Sequence, residues 1–212
     1  MAKTACYIDG FNLYHAIDAL GIQHLKWLNL WALAETFLRP EDSLARVVYF
    51  SALMMWEPGK VRRHKEYIAA LQSVGVEPVL SKFLKSKKHC HAFDRYCSFT
   101  EEKQTDVAFS ARIVCDVLTS DVERIVLVTA DSDQVPTVAM IRGLKPQVHI
   151  LVAPPPGRKQ NAKELAHLAH DSREITHGRL DRCLFPRNVK DARGRIVARC
   201  PSKYNHPVWE KV

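Results

Sequence analysis

The chain of 212 residues lacks the features of a membrane or secreted protein. No apolar run approaches the ~18 residues that a membrane-spanning helix requires. The amino-terminal residues lead directly into a strand-like segment without a signal-peptide layout, which predicts a cytoplasmic protein. The six cysteines are scattered along the chain and several fall within predicted core segments, so we do not expect a disulfide framework.

Internal repeats and low-complexity tracts are also missing. Hydrophobic residues make up 47% of the chain and charged residues 25%, which is ordinary for a soluble globular protein. The length suits one α/β domain with an extension. The net charge is +8 and the isoelectric point about 9.2. Charge alone does not separate a polyanionic partner from a basic surface without one, but nucleic acid is the favoured interpretation.

Short apolar runs alternate with segments of helical periodicity along most of the chain. Predicted strands cover residues 4–8, 45–51, 76–84, 124–128 and 148–152. Predicted helices cover residues 13–20, 28–38, 59–74, 105–118, 132–142 and 161–169. Residues 85–103 are predicted to be polar and irregular, and Ile175 is expected to begin a short edge strand. This alternation predicts an α/β fold with a mostly parallel sheet and right-handed crossovers.

The composition changes after about residue 177. Residues 177–212 contain nine Lys or Arg and three Asp or Glu, which gives +9 − 3 = +6 of the net charge. They contain no long apolar run. We therefore expect a main domain over residues 1–176 and a basic carboxy-terminal extension over 177–212, either an extended arm or a small appendage.

Acidic residues stand where the apolar runs stop. Asp9 follows the first predicted strand, Asp131 and Asp133 follow the strand at 124–128, and Asp106 opens a helix. In open α/β sheets, ligands bind at the carboxyl edge of the strands. Two carboxylates held 4 Å apart repel by about 4 kcal/mol at an effective dielectric near 20, and Mg²⁺ removes this repulsion. The pattern predicts a metal-dependent hydrolase acting on phosphate.

Each of these aspartates, taken alone, is explained more simply as a helix cap or turn residue. The metal hypothesis therefore depends on all of them meeting. If the chain stays extended after the strand at 124–128, Asp131 and Asp133 lie roughly 6.6 Å apart and point the same way. Ser132 would then be free to cap the next helix. Asn12, one short turn after Asp9, can donate its amide to a phosphate or orient a ligand.

Three segments together resemble the NYN domain family, PIN-like nucleases of the LabA/DUF88 type. They are residues 7–12 (Tyr-Ile-Asp-Gly-Phe-Asn), 102–107 (Glu-Lys-Gln-Thr-Asp-Val) and 127–133 (Leu-Val-Thr-Ala-Asp-Ser-Asp). The resemblance covers about residues 3–176. This chain has Thr129-Ala130 where the family usually has Ser-Gly, and Gln134 where a large apolar residue is usual. Both differences retain the acids.

The resemblance implies a PIN-like, Rossmann-like three-layer fold and Mg²⁺- or Mn²⁺-dependent hydrolysis of RNA phosphodiester bonds. Carried over to this sequence, the family's acidic metal shell corresponds to Asp9, Asp106, Asp131 and Asp133. Asn12 corresponds to the associated polar residue. The expected enzyme is an endoribonuclease acting on single-stranded RNA.

Several other functions remain open. The fold could serve as a weakly catalytic RNA-binding or regulatory module, or as a DNA nuclease, and a homodimer is compatible with the sequence. A pure binder, however, has no need for four carboxylates facing a polyanion. A phosphatase of the haloacid dehalogenase type is disfavoured, because its Asp-x-Asp pair belongs on the first strand and this chain has Asp9-Gly10-Phe11 there.

Two weaker signals concern the polar segment between residues 82 and 103. His89, Cys90, His91 and Cys97 are ligand types for Zn²⁺, although their spacing is unusual and an inert surface loop is the better interpretation. Cations mixed with aromatic residues suit single-stranded nucleic acid. The candidate nucleic-acid contacts are Lys82, Lys85, Lys87, Lys88, Arg95, Arg158 and Lys159. A solvated loop whose aromatic residues pack on the core explains the cations of this segment equally well.

Overall fold

The fold is an α/β sandwich built on one curled sheet. The structure is a computed structural model that describes residues 2–90 and 94–210. Seven strands form the sheet in the order β4-β3-β2-β1-β5-β6-β7, and every neighbouring pair is parallel except β3 and β4. The strands are β1 (Lys3–Asp9), β2 (Ser43–Ala52), β3 (Val76–Cys90), β4 (Arg95–Lys103), β5 (Arg124–Val128), β6 (His149–Val152) and β7 (Asp171–Ser172). The predicted α/β fold with a mostly parallel sheet is confirmed.

Helices cover both faces of this sheet and give three layers. One layer contains α1 (Gly10–Ala19), α2 (Leu30–Glu35), α3 (Pro58–Ser73) and α7 (His177–Asp181), and the other contains α4 (Thr105–Thr119), α5 (Val135–Leu144) and α6 (Lys163–Leu168). Alternate residues of a strand face opposite layers. On β1, Cys6 and Ile8 accordingly pack in the first layer and Tyr7 in the second. The central strands are buried on both sides, which explains their continuous apolar runs.

The segment predicted to be irregular is a long β-hairpin, so that prediction is wrong. β3 and β4 pair antiparallel from Lys82↔Lys103 to Cys90↔Arg95. The two strands satisfy each other's backbone groups across a ribbon with many exposed side chains. Such a ribbon has no buried face along most of its length and leaves no apolar periodicity in the sequence. The short edge strand is Asp171–Ser172; it does not begin at Ile175, which is buried.

The carboxy-terminal segment packs on the first helical layer. Leu180 and Phe185 are buried in the same core as α1 and α2. The Phe185 backbone N–H donates to the Trp27 carbonyl at 3.0 Å, and the Trp27 indole N–H donates to the Pro186 carbonyl at 2.9 Å. The hairpin of β8 (Asn188–Lys190) and β9 (Ile196–Arg199) lies on α3. The extension is therefore an appendage on the same core rather than an extended arm.

No helix among the described residues has the length and apolar character needed to cross a membrane.

Candidate active site

Asp9 joins the end of β1 to the loop after β5. Its Oδ1 accepts a hydrogen bond from the Asn12 backbone N–H at 3.0 Å and thereby caps α1. Its Oδ2 accepts from the Thr129 hydroxyl at 3.1 Å. The Asn12 Oδ1 accepts from the Ala130 backbone N–H at 3.1 Å. Because β1 and β5 are neighbours that end side by side, these contacts fix both chain ends at the carboxyl edge of the sheet.

Gly10 allows α1 to start directly against β2. A Cβ at this position would lie 2.5 Å from the Phe50 carbonyl oxygen and 2.5 Å from the Tyr49 ring. The carbonyl belongs to the backbone and cannot move aside cheaply. A larger residue would push α1, with Asn12 on its first turn, away from the sheet.

Asp131 and Asp133 do not stay on one extended segment. The Asp131 carboxylate accepts from the Asp133 backbone N–H at 3.0 Å and caps a short 3₁₀ turn over Ser132–Gln134, so Asp131 takes the capping role expected of Ser132. This turn changes the direction of the chain. Asp131 lines a cavity at the sheet edge, whereas Asp133 is exposed and lies outside the cavity lining. Asp133 is nevertheless near enough to Asp106 to raise its pKa.

Asp106 reaches the same cavity from the first turn of α4. The chain turns from β4 into α4 at Gln104, whose φ is +83°. Glu102, at the end of β4, then caps the helix, because its carboxylate accepts from the Thr105 backbone N–H at 3.0 Å and from the Thr105 hydroxyl. Glu102 also lines the cavity and was not among the predicted site residues. The available signal was its place in the segment 102–107 that resembles the NYN family.

The electrostatics of this edge fit a divalent cation. Burial, together with the smaller effect of the nearby charges of Asp106 and Asp131, raises the pKa of Asp9 to about 6, although hydrogen bonds from Asn12 and Thr129 oppose the shift. The pKa of Asp106 is also raised, by partial burial and by Asp131 and Glu102. Such shifts mean that these carboxylates are destabilised as anions where they stand. Hard oxygen donors that repel each other form the ligand chemistry of Mg²⁺ and Mn²⁺ rather than of softer metals.

Asp9, Glu102, Asp106 and Asp131 all line one cavity of about 740 Å³. Four basic residues line the same cavity: Lys26, Lys60, Arg63 and Arg158. Of the two cations predicted at positions 158 and 159, Arg158 lines the cavity, and Lys159 is exposed outside its lining. Arg63 comes from the start of α3, where the sequence is compatible with either a phosphate contact or an exposed turn.

The predicted cations of the hairpin are divided between its two faces. Phe83 lines the cavity, and by strand alternation Lys85 and Lys87 share its face and are exposed beyond it. Lys82 is exposed on the opposite face. Arg95 is exposed on the same face as Lys82, because it pairs with Cys90, which lies on that face by strand alternation. The Lys88 side chain lies outside the described part of the molecule. The hairpin thus extends the cavity face with two cations.

The arrangement of the hairpin does not support the zinc hypothesis. His89 pairs with Tyr96, and Cys97 pairs with Lys88. Adjacent pairs in an antiparallel ladder point to opposite faces, so His89 and Cys97 cannot reach one ion without distortion. The other two proposed ligands fall outside the described part of the molecule, because His91 and the side chain of Cys90 are not described.

A different group of ligand types occurs in the described residues. His24, Asp181 and His206 have donor atoms that all lie within 4.8 Å of one another. They lie where the carboxy-terminal appendage meets the turn after α1, and none of them lines the acidic cavity.

A three-layer α/β sandwich whose strands deliver carboxylates to one carboxyl edge defines the PIN-like class. The NYN domain family model matches residues 3–175, and the chain belongs to that family. It is similar to 6-hydroxy-3-succinoylpyridine 3-monooxygenase HspA of Pseudomonas putida, with 27% identity over 228 aligned positions that cover 88% of this chain and 71% of that protein.

A solved structure has a similar fold. It is that of a protein of unknown function from Vibrio parahaemolyticus, with a TM-score of 0.55 and 18% identity. The match covers 83% of this chain and 94% of that one. At this identity the similarity concerns the fold alone.

Proposed function

We propose that this protein is a metal-dependent nuclease that hydrolyses phosphodiester bonds in single-stranded RNA. The observation that carries the proposal is the meeting of Asp9, Asp106 and Asp131 in one cavity. These three residues come from β1, α4 and the loop after β5, and burial with mutual repulsion raises the pKa of Asp9 to about 6. Membership of a PIN-like family supports the same chemistry.

In the proposed hydrolysis, the residues at the cavity have different roles. Asp9, Asp106 and Asp131 would hold Mg²⁺ or Mn²⁺, with Asp133 contributing charge from outside the cavity. Bound there, the ion would lower the pKa of a water and stabilise the leaving oxygen. Asn12 fixes the loop after β5 by accepting from the Ala130 N–H, and so positions Asp131. Arg63 and Arg158 line the cavity as cations that can neutralise the phosphate.

A second candidate follows from one similar protein and from the size of the cavity. The relative from Pseudomonas putida is named for a substituted pyridine, a small aromatic ring. The cavity of this chain, about 740 Å³, lies within the size range of small-molecule sites. A small aromatic substrate is therefore the rival to RNA. A nucleic-acid-binding module without cleavage and a DNA nuclease remain alternatives within the polymer class.

The deciding experiment is cleavage of end-labelled single-stranded RNA and DNA with Mg²⁺, with Mn²⁺ and with EDTA. The Asp9→Asn/Asp131→Asn double variant is measured in parallel. Cleavage that requires the cation and is lost in the double variant supports the nuclease, and the preferred strand identifies the substrate. Binding of either polymer without cleavage under all conditions would favour the binding module. Neither binding nor cleavage would favour the small-molecule rival.

The exposed cations of the hairpin are expected to contribute to RNA affinity. We expect Lys85→Ala/Lys87→Ala to weaken binding of single-stranded RNA by about tenfold at low salt. The slope of log affinity against log salt should fall by roughly 1.4, since each lost phosphate contact removes about 0.7. Fluorescence anisotropy at several salt concentrations measures both quantities. The charge-matched control is Lys3→Ala/Lys145→Ala, at the amino edge of the sheet; equal losses in the two double variants would exclude a specific role for the hairpin.

A further inference from the structure

Aromatic side chains line the same cavity as the acidic residues. They include Tyr14, Tyr49, Tyr67 and Tyr204. At the mouth, Phe83 makes edge-to-face contacts with Phe11 and Trp56, with ring centroids 5.8 and 4.9 Å apart. A site that held only a metal ion and a phosphate would need neither this volume nor these rings. The additional space suits a planar ring.

Polar groups in the same walls lack a full set of protein partners. The Arg63 Nε is buried, and no group in the described part of the chain accepts its hydrogen. Native proteins rarely leave such a donor unpaired, so a ligand acceptor is the natural partner. The His64 Nε2 lies 3.3 Å from the Tyr49 hydroxyl, and burial lowers the pKa of His64 to about 4. His64 is therefore a neutral imidazole at pH 7, able to donate or accept one hydrogen bond to a base edge.

We propose that this cavity receives one unstacked nucleobase of the nucleotide next to the cleaved phosphate. The inference rests on the proposed nuclease function and names its substrate requirement. The acids and the cations line one continuous cavity, so a nucleotide there would have its phosphate near Arg63 and its base among the tyrosines. Base–aromatic stacking tolerates every base, because each base has a π-face.

The pocket predicts strong discrimination against duplex substrates. A base inside a duplex must be unpaired and unstacked before it can enter, which costs a few kcal/mol. Duplex RNA is therefore cleaved at least about tenfold more slowly than the same strand alone. A nuclease that contacted only the sugar–phosphate backbone would not require this discrimination between single-stranded and duplex RNA.

The test uses Tyr14→Ala, with Leu144→Ala at the end of α5 as the control. Tyr14 is 39% exposed and lines the cavity, whereas Leu144 is 56% exposed and does not line it. We expect Tyr14→Ala to weaken binding of uridine and adenosine 5′-monophosphate about 5- to 100-fold and to raise KM for single-stranded RNA while kcat changes little. Calorimetry measures mononucleotide binding. Binding of pyridine-3-carboxylate is measured in the same way, as a comparison with an aromatic ring that carries no phosphate.

The outcomes separate the pocket from the nuclease. If Tyr14→Ala loses mononucleotide binding and the unchanged protein cleaves no nucleic acid, the nucleobase pocket is supported and the nuclease function is excluded. If both variants cleave RNA in a metal-dependent way with the same KM and no mononucleotide binds, the nucleobase pocket is overturned and the nuclease function stands. Binding of the pyridine carboxylate without any nucleotide overturns the pocket as a nucleobase site and assigns it to small aromatic acids.

A second inference rests on an independent cluster, His24, Asp181 and His206. The His24 Nε2 lies 3.4 Å and the His206 Nε2 3.9 Å from the Asp181 Oδ1. The two imidazole rings are 4.5 Å apart between centroids. Around a tetrahedral Zn²⁺ with bonds of about 2.0–2.1 Å, neighbouring donor atoms stand about 3.4 Å apart. The two separations from Asp181 lie within about 0.5 Å of this spacing, and the two histidine donor atoms lie within 4.8 Å of each other.

The structure assigns to this cluster a site for Zn²⁺ or a similar divalent transition metal. His24 lies in the turn after α1, Asp181 ends α7, and His206 lies near the end of the described chain, so one ion would join the appendage to the main core. The His206 Nδ1 now accepts from the Val208 N–H at 3.2 Å. Coordination through Nε2 leaves the proton on Nδ1, so this hydrogen bond is lost when the metal binds.

Titration with Zn²⁺ in the Asp9→Asn/Asp131→Asn background tests this site without the acidic one. We expect one equivalent to bind, to raise Tm by about 5 °C or more and to shift the Val208 amide resonance. His24→Gln should abolish all three effects while retaining the metal-free Tm, and His167→Ala, on α6, should change none. Absence of Zn²⁺ binding, or equal binding in both variants, would overturn the assignment.

Discussion

Asp131→Asn is expected to reduce kcat for RNA cleavage by at least about 100-fold while binding of single-stranded RNA persists. Asp131 is the carboxylate that the loop after β5 presents to the cavity, and its backbone N–H is already held by the Thr129 hydroxyl at 3.1 Å. Asparagine can keep the capping hydrogen bond to the Asp133 N–H. It loses the negative charge that a divalent cation needs, and even indirect changes to metal sites cost 10- to 100-fold.

Single-turnover cleavage and anisotropy on the same RNA measure the two effects of Asp131→Asn. Asp121→Asn, an exposed aspartate at the amino edge of the sheet, is the control and should cleave normally. Asp133→Asn should fall between them, because Asp133 is outside the cavity but raises the pKa of Asp106. If Asp131→Asn cleaves like the unchanged protein, the assignment of the acidic site is wrong.

Asp9→Asn is expected to be inactive and yet more stable than the unchanged protein. Burial raises the pKa of Asp9 from 3.8 to about 6, so the folded state disfavours its charged form. We expect the free energy of unfolding at pH 7.5 to rise by about 2 kcal/mol, which corresponds to roughly 4–8 °C in Tm for a chain of this size. The asparagine side chain can still accept from the Asn12 N–H. Thermal unfolding without divalent cations measures the gain.

The stability gain of Asp9→Asn has a defined pH dependence. A carboxyl with a raised folded-state pKa binds its proton more tightly in the folded than in the unfolded state, so it costs stability above pH 6. This cost shrinks as the pH falls through 6 and vanishes below about pH 4, where Asp9 is protonated in both states. The two proteins should then unfold at the same temperature. Asp121→Asn should show no gain, because Lys3 lowers the pKa of Asp121.

Mg²⁺ gives an independent check on the same residue. Added cation should stabilise the unchanged protein and leave Asp9→Asn nearly unaffected, because the variant lacks one ligand and part of the repulsion that the cation relieves. The affinity for Mg²⁺ should fall below pH 6 as Asp9 takes up its proton. A stabilised variant at neutral pH that responds to Mg²⁺ like the unchanged protein would place the cation elsewhere.

The acidic edge of the sheet could be predicted from local sequence. Asp9 and Asp131 each follow a continuous apolar run, and buried parallel strands leave just such a run in the sequence. Because parallel neighbours end at the same edge, the two positions had to be close once β1 and β5 were adjacent. In the structure, Asp9 and Asp131 both line one cavity.

The hairpin and the turn at Asp131 could not be predicted in the same way. Residues 85–103 have no burial-driven periodicity, so only pairing between β3 and β4 determines their conformation. The 3₁₀ turn after Asp131 forms because the carboxylate caps it, and a local pattern of Asp-Ser-Asp is equally compatible with an extended chain. This one turn separates Asp133 from the cavity.

The sequence by itself determined most strands and helices of the main sheet, apart from the β3–β4 hairpin and the edge strand, and which carboxylates would stand at strand ends, because burial and capping act over a few neighbouring residues. Only the tertiary structure decided what surrounds those carboxylates. Glu102, Arg63 and Tyr204 come from widely separated segments to line one cavity, and His24 meets His206 across the appendage. Such contacts form between residues that are far apart in the chain, when the layers of the fold pack together. They cannot be predicted from the pattern of side chains within one segment.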